Sequence, residues 1–385
     1  MAAESSLLPL LIILFFALVI PEMFKRFHIP FMSSIILVGA ILGPYGLGYV
    51  ASNDVIEFFG FLGMTFLMFM AGLETDISQL RSVRLKIIIM AGLNGLIPFG
   101  LGVGIAQYFG YSWMTSLLLG TIFVSSSVAV VVPALESAGL FRKVVGQLIL
   151  ASILVLDILS LILLAIILQR VEGLSALGPA AFIIVLLGSI IGLLALTPHL
   201  AKFLLRKGLV PSGDERPIRA IVVLFIAVLA FFSAIGVHPI LAAFLVGIPL
   251  APIIRAGEVY TQIHTLGYGL FIPVFFFVVG MQLNFNIFLQ FDVKNMIMLA
   301  IVFGLILSKF LTGFFGGLLA RIGTTESTFF GIASTIQITT TLAVTFTAST
   351  LGIFDSVLVT SILLVSVITT IIAPLLLIWL SPKVS

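Results

Sequence analysis

Two charged residues lie near the middle of long apolar segments, where a charge is costly. Asp157 is the only charge within residues 144–169, and Lys309 is the only charge within residues 295–320. Both segments exceed the roughly 20 apolar residues that cross a bilayer. A carboxylate at the centre of a membrane helix costs about 2.5–3.5 kcal/mol on insertion scales, so such residues usually serve a function. One acid and one base on separate segments indicate that the protein handles ions or protons.

Both charges also have a structural interpretation. Asp157 could be a carboxylate that is paired inside a helix bundle. Lys309 could neutralise the negative ends of helices that terminate near it, because helix carbonyl ends carry partial negative charge. It could also pair directly with Asp157, and the sequence leaves these alternatives open.

The composition places the chain among polytopic membrane proteins. Hydrophobic residues make up 61% of the sequence and charged residues 9%, whereas soluble domains carry about 25% charge. The mean hydropathy is +1.34. The sequence contains no cysteine, and it contains no Walker, Rossmann or metalloprotease motif. We therefore expect neither an enzyme nor a cofactor, and the basic residues lie in short loops that give no indication of nucleic-acid binding.

Thirteen apolar runs predict an all-α membrane protein with about 13 transmembrane helices. The runs are 6–22, 30–50, 54–74, 86–108, 112–135, 144–169, 177–198, 218–236, 238–254, 264–284, 295–320, 327–351 and 355–381. All Lys and Arg residues except Arg170, Lys294 and Lys309 follow odd-numbered runs. The positive-inside rule then predicts an N-terminus outside the cell and a cytoplasmic C-terminus.

The two halves of the sequence resemble each other. Residues 37–44 match 245–252, residues 73–77 match 283–287, and residues 125–130 match 339–344. Matched segments are separated by an odd number of runs, so they cross the membrane in opposite directions. This pattern predicts an inverted-topology repeat, with repeats at about 1–170 and 218–381 and a linking span at 177–198.

The third match consists of polar residues in the middle of apolar runs. The first set is Ser125, Ser126 and Ser127, and the second is Thr339, Thr340 and Thr341, preceded by Gln337. Hydroxyl side chains compete for backbone hydrogen bonds and are poor helix formers. We expect two broken helices that cross at the midplane, although Ser and Thr are also ordinary packing residues in membrane helices.

In these features the chain resembles monovalent cation:proton antiporters of the bacterial NapA-like and KefC-like branch. The residues that carry the resemblance are 39–44, 72–74, 126–128, Asp157, 243–247, 275–281 and Lys309. The resemblance implies an NhaA/NapA-like fold in a single membrane transporter domain, residues 1–385. It also implies a moving core at about 54–170 and 264–381, a dimerisation part at about 1–50 and 177–254, and a homodimer.

The resemblance further implies exchange of Na⁺, or alternatively K⁺, for H⁺ across the inner (cytoplasmic) membrane. Asp157 would bind the cation or the proton, the Ser and Thr runs with Gln337 would supply polar ligands, and Lys309 would compensate charge. We also expect membrane lipids as partners and no nucleic acid. Many relatives have an acid or an amide before the aspartate, where this chain has Leu156, so the number of exchanged charges stays open.

The sequence also permits alternative interpretations of Glu74 and of the function. Glu74 is either part of a cytoplasmic entrance or a solvated interface charge. An organic anion symporter on a similar fold is an alternative function, in which Lys309 would hold a substrate carboxylate. A membrane scaffold without transport is a further alternative, but it has no need of Asp157 at mid-membrane.

Overall fold

A computed structural model of the chain describes residues 2–24, 30–75, 85–137, 139–141, 143–169, 178–204, 215–255, 257–284, 287 and 293–380. Within these ranges the chain forms helices and no strand. Several basic residues on which the predicted orientation rests lie outside them, among them Lys25, Arg26, Arg81 and Arg84.

The helices are numbered in chain order. They are α1 (Ala2–Phe24), α2 (Phe31–Leu42), α3 (Asp54–Glu74), α4 (Leu85–Tyr108), α5 (Trp113–Val124), α6 (Val128–Ser137), α7 (Val144–Leu168), α8 (Pro179–Leu204), α9 (Arg216–Ala234), α10 (Pro239–Ile254), α11 (Glu258–Leu266), α12 (Ile272–Met281), α13 (Val293–Leu319), α14 (Thr324–Ser334), α15 (Thr339–Thr350) and α16 (Ser356–Leu380). A π-helical segment, Gly267–Phe271, joins α11 to α12.

The described helices confirm the predicted fold class. Ten helical stretches within them are long and apolar enough to cross a membrane, and three further apolar helices, α2, α5 and α10, are shorter. Every predicted apolar run therefore contains a helix, and the protein is an all-helical, multi-pass membrane protein. The predicted number of 13 spans is not confirmed, because the three shorter helices fall below the length of a full crossing.

Burial differs strongly between these helices. All residues from 333 to 348, which include the interruption between α14 and α15, are buried, whereas most residues of α8 are partly or fully exposed. Unwound backbone is tolerated at membrane depth only where protein or a water-filled cavity surrounds it. The interruption between α14 and α15 meets this requirement, because protein encloses almost the whole stretch.

The chain divides into two compact units. The first comprises Met1–Gly60, Ser78–Ser160 and Pro273–Ser385, and the second comprises Phe61–Ile77 and Leu161–Ile272. In the first unit, α13 packs against α4, α14 and α16, and α15 packs against α5 and α16. In the second unit, α10 packs against α8 and α9. The division into a moving core and a dimerisation part stays a prediction.

A close helix crossing in the first unit depends on glycine. A Cβ atom added at Gly39 in α2 would collide with the backbone carbonyl oxygen of Phe277 in α12. Reciprocally, a Cβ atom at Gly280 in α12 would collide with the backbone carbonyl oxygen of Ile36 in α2. The two backbones therefore touch directly, as small residues permit in membrane helix pairs.

The second unit contains a crossing of the same kind between α3 and α10. A Cβ atom at Gly72 in α3 would collide with the carbonyl oxygen of Phe244 in α10. A Cβ atom at Gly247 in α10 would collide with the carbonyl oxygen of Phe69 in α3. This crossing again pairs one glycine from each helix with a carbonyl group of the other.

The two crossings are equivalent parts of an internal repeat. One constant interval in sequence relates Ile36 to Phe244, Gly39 to Gly247, Phe69 to Phe277 and Gly72 to Gly280. Helix α2 thus corresponds to α10, and α3 corresponds to α12. The sequence comparison matched residues 73–77 with 283–287, and the contacts correct this register by two residues.

Substitution of one of these glycines tests the crossing. Gly39→Ala should lower the free energy of unfolding by about 1–3 kcal/mol or more, because overpacking has this cost even where neighbours can shift. Gly92→Ala is the matched control, since Gly92 also lies inside a helix but has open space at its Cβ position. In thermal unfolding in detergent, Gly92→Ala should unfold at the same temperature as wild type or slightly above it. Equal effects of the two substitutions would contradict the close crossing.

Candidate functional site

The first predicted broken helix is interrupted at its three serines. Helix α5 ends at Val124, α6 begins at Val128, and residues 125–127 between them are not helical. The backbone of Ser125 is extended, with φ −63° and ψ 161°. Serine side chains offer the backbone alternative hydrogen bonds, which accounts for an interruption at this point.

The second interruption lies earlier than the threonine run predicts. Helix α14 ends at Ser334, residues 335–338 form the interruption, and α15 begins at Thr339. The three threonines therefore form the first turn of α15, whereas the three serines are themselves unwound. The two runs are not equivalent positions of the repeat, and Gln337 occupies the interruption in the second helix.

Direct hydrogen bonds join the two interruptions. The backbone N–H of Ser127 donates to the carbonyl oxygen of Ile336 over 2.8 Å. The hydroxyl of Ser126 donates to the carbonyl oxygen of Ser334 over 2.9 Å. The amide Nε2 of Gln337 donates to the carbonyl oxygen of Ser125 over 2.6 Å. Backbone groups that lack helical hydrogen bonds at one interruption thus form hydrogen bonds with residues at the other interruption.

Side-chain hydroxyls complete this contact. The Ser125 hydroxyl lies 3.0 Å from Oε1 of Gln337 and 2.8 Å from Oγ1 of Thr341. Thr341 also donates to Oε1 of Gln337. The hydroxyls of Ser127 and Thr339 are 3.4 Å apart. The structure therefore brings these predicted polar residues together in one buried cluster.

Asp157 lies on α7 in the same compact unit and is only 2% exposed. Its Oδ1 accepts a hydrogen bond of 2.5 Å from the hydroxyl of Thr340 in the first turn of α15. Among the described residues, Thr340 is the only hydrogen-bond partner of the carboxylate. The second carboxylate oxygen is therefore available to a cation or a proton.

Lys309 lies on α13 and is fully buried. Its ammonium group donates to the carbonyl oxygen of Val124 over 2.9 Å and to that of Asn94 over 3.2 Å. Val124 is the last residue of α5, so Lys309 caps the negative end of this half-helix. No ion pair within 4.0 Å joins Lys309 to Asp157 in the described structure, although their charges interact through space.

Asn94 on α4 is a buried residue that the sequence analysis missed. Its Nδ2 lies 2.8 Å from the backbone carbonyl oxygen of Lys309 and 3.1 Å from the hydroxyls of Thr312 and Ser334. A carbonyl oxygen only accepts hydrogen bonds, so the side-chain atom that lies 2.8 Å from it is the amide nitrogen and not the amide oxygen. Asn94 therefore holds Lys309 from both sides, through its own carbonyl group and through its side chain. An amide within the apolar run of residues 86–108 was the available signal.

Glu74, the predicted entrance residue, belongs to the second compact unit. It is the last residue of α3, and it interacts electrostatically with Arg255, Tyr260 and Tyr268. Asp157 belongs to the first unit. The role of Glu74 in an entrance stays a prediction.

Comparison with known proteins identifies the family. Residues 10–382 match the family described as sodium/hydrogen exchanger, transmembrane. The probable Na⁺/H⁺ antiporter 3 of Methanocaldococcus jannaschii is 29% identical over 97% of this chain and 96% of its own length. The Na⁺/H⁺ antiporter of Enterococcus hirae is 26% identical over 94% of each chain.

A solved structure shows the same fold. The sodium proton antiporter MjNhaP1 from Methanocaldococcus jannaschii at pH 8 aligns with a TM-score of 0.74 and 18% identity, over 100% of this chain and 99% of its own. The family match over residues 10–382 shows that the chain belongs to the transmembrane sodium/hydrogen exchanger family, which confirms the predicted relationship to cation:proton antiporters. The antiporter fold that this relationship implied is confirmed as well.

The contacts of Asn94 generate a prediction about stability. Asn94→Leu keeps a similar side-chain volume but removes a buried hydrogen-bond donor, so it should destabilise the protein by about 1–3 kcal/mol. Thr121→Val is the control, since the buried Thr121 hydroxyl has one partner among the residues that the structure describes, the carbonyl oxygen of Leu117 in its own helix. Thermal unfolding in detergent measures both variants, and equal stability of Asn94→Leu and wild type would contradict the bridging role.

Proposed function

We propose that the protein is a secondary active transporter that exchanges a monovalent cation for protons across the cytoplasmic membrane, with Asp157 as the group that binds either ion. The observation that carries the proposal is the environment of Asp157, a buried carboxylate with a single hydroxyl donor among the described residues. An isolated buried carboxylate is costly unless a cation or a proton neutralises it. The names of its relatives as Na⁺/H⁺ antiporters give independent support.

Competition for one carboxylate provides the coupling. A bound proton removes the negative charge that the cation requires, so Asp157 carries one species or the other. An unloaded carboxylate is a buried charge with no partner, and moving it through the membrane interior is unfavourable. Alternating access of a site that moves only when loaded produces exchange in opposite directions.

Oxygen atoms around Asp157 suit a monovalent cation. Na⁺ sites in transporters combine carboxylate, hydroxyl and carbonyl oxygens at interrupted helices. Thr340 already contacts Asp157, and the neighbouring hydroxyls of Ser127 and Thr339 belong to the same crossing. Na⁺ is the preferred substrate over K⁺, because the relatives that cover nearly the whole chain are named for Na⁺.

Lys309 serves as a cap with an electrostatic influence on Asp157. Its ammonium group already binds the carbonyl oxygens of Val124 and Asn94, and it lies beyond ion-pair distance of Asp157. The site then contains one exchangeable carboxylate, since Leu156 replaces the polar neighbour of many relatives. This count supports exchange of one cation for one proton, which is electroneutral.

The same contacts argue against the organic anion alternative. A symporter of organic anions would use Lys309 to hold a substrate carboxylate. The ammonium group is fully buried and engaged with two backbone carbonyl groups, so it is not presented to a ligand.

Topology and assembly complete the proposal. The basic loops support an N-terminus outside and a C-terminus in the cytoplasm of an inner membrane. A homodimer, in which a core with both broken helices moves against a dimerisation part, follows from the family resemblance.

Replacement of the carboxylate tests the site. Asp157→Asn should reduce cation-dependent proton flux to the level of protein-free liposomes. The amide takes up no proton in this pH range, and it has no negative charge with which to neutralise a bound cation. Asp355→Asn is a matched control, since Asp355 lies in the loop before α16 and bonds Tyr111. A pH-sensitive dye in proteoliposomes should report the flux after addition of Na⁺, K⁺, Li⁺ or an organic anion in turn. A folded Asp157→Asn protein with wild-type exchange would overturn the proposal.

The stoichiometry has its own test. One-for-one exchange moves no net charge, so Na⁺-driven proton flux should be insensitive to a membrane potential clamped with valinomycin and K⁺. If Lys309 also releases a proton in each cycle, two protons exchange per cation and a potential stimulates the flux. Flux measured at several clamped potentials distinguishes these cycles, and stimulation by voltage would contradict the electroneutral one.

A further inference from the structure

A cavity with both polar and apolar lining residues lies in the first compact unit, away from the crossing of the broken helices. Its volume is about 290 Å³, which is far more than the roughly 10–15 Å³ that one water molecule requires. It is lined by residues at or near the ends of α2, α12 and α15 and the starts of α3 and α16. The cavity therefore has room for a cation with part of its hydration shell.

The helix ends around this cavity favour a positive charge. Helices α2, α12 and α15 all terminate here, and a helix C-terminus carries roughly half a negative charge. The N-terminal ends of α3 and α16 also lie here, and their opposite partial charge is reduced because Asn53 accepts from the N–H of Ile56 and Asp355 accepts from the N–H of Leu358. Backbone N–H groups likewise bond some of the carbonyl groups at the three C-terminal ends. No basic side chain is among the described residues that line the cavity.

Oxygen atoms suited to a cation line the cavity as well. Glu57 contributes a carboxylate, and the hydroxyl of Ser52 donates to it over 2.9 Å. Among the described residues, no donor reaches the buried Oε1 of Gln282. Ser349 adds a hydroxyl group near the end of α15. A buried amide oxygen without a donor is unfavourable unless a ligand satisfies it.

Helix α15 connects this cavity to Asp157. Thr340 in its first turn binds Asp157, and Phe346 on the same helix lines the cavity. At 1.5 Å per residue, these two positions are about 9 Å apart along the helix axis. The ring of Phe346 is 4% exposed and packs edge-on against Phe275, with centroids 5.8 Å apart. The packed rings of Phe346 and Phe275 therefore close the wall of the cavity about one and a half helical turns from Thr340.

We propose that this cavity is an antechamber that binds a monovalent cation through Glu57, Gln282 and Ser349, with Phe346 as the barrier between it and Asp157. The identity of the cation rests on the proposed function. Under the predicted orientation, the antechamber faces the outside of the cell. Glu57 concentrates the cation here and does not take part in proton exchange at Asp157.

The absence of cysteine from the sequence allows a direct test. In Ser349→Cys, a membrane-impermeant thiol reagent should modify the introduced cysteine more slowly in Na⁺ than in N-methylglucamine, whose substituted ammonium group cannot be surrounded by oxygen atoms as a Na⁺ ion can. At a Na⁺ concentration about ten times the dissociation constant, the rate should fall about tenfold, because only the unoccupied cavity reacts. Ala51→Cys is the control, since Ala51 is exposed in the neighbouring loop and does not line the cavity.

Further variants show which residues bind the Na⁺ that slows modification of Ser349→Cys. Glu57→Gln or Gln282→Leu should reduce the protection of Ser349→Cys by Na⁺, whereas Asp157→Asn should leave it intact. Protection that survives both cavity variants, or that disappears in Asp157→Asn, would overturn the antechamber. Because the Asp157→Asn measurement needs no transport, failure of the antechamber is distinguishable from failure of the exchange mechanism.

Transport kinetics provide an independent readout. Glu57→Gln should raise the half-saturating cation concentration on the cavity side about tenfold, as expected for a loss of 1.4 kcal/mol in binding. The maximal rate should stay unchanged, because binding at a distance from the exchange site does not alter the carboxylate. A lower maximal rate with an unchanged half-saturating concentration would contradict the proposal.

Discussion

The structure depends on one constraint, the need to satisfy backbone groups where two helices are interrupted inside the membrane. Each unsatisfied group would cost several kcal/mol in a region without water. The interruptions meet this need by bonding to each other, through Ser127 and Ile336 and through Gln337 and Ser125. Lys309 satisfies the remaining end of α5. The burial of α14 and α15, and the packing of α13 against α4 and α14, follow from this requirement.

The internal repeat supplies two interrupted helices, but their ends are compensated differently. The end of α5 receives the ammonium group of Lys309, whereas the carbonyl oxygen at the end of α14 receives the neutral hydroxyl of Ser126. A bound proton and a bound Na⁺ each add one positive charge, so the two loaded states are electrostatically alike. This similarity is what the proposed one-for-one exchange requires.

Features that reside in a short stretch of sequence were predictable. A charge inside an apolar run identified Asp157 and Lys309, and hydroxyl runs located both interruptions to within a few residues. Features that depend on distant residues were not predictable. In the sequence, Asn94 is a single amide in an apolar run, and only the fold brings it into contact with Lys309. The threonine run forms a helical turn because the helix is interrupted before it, at Gln337 and the neighbouring residues. The register of the glycine crossings likewise required the contacts themselves.

The central claim is that a cation and a proton compete for Asp157, and proton release on cation binding tests it most directly. Purified protein in weakly buffered detergent solution is titrated with Na⁺ while a pH electrode or dye counts the protons that appear. The account predicts one proton released per protein molecule in wild type, when Asp157 is protonated beforehand, and none in Asp157→Asn. Na⁺ binding without proton release in wild type, or undiminished release in Asp157→Asn, would contradict it.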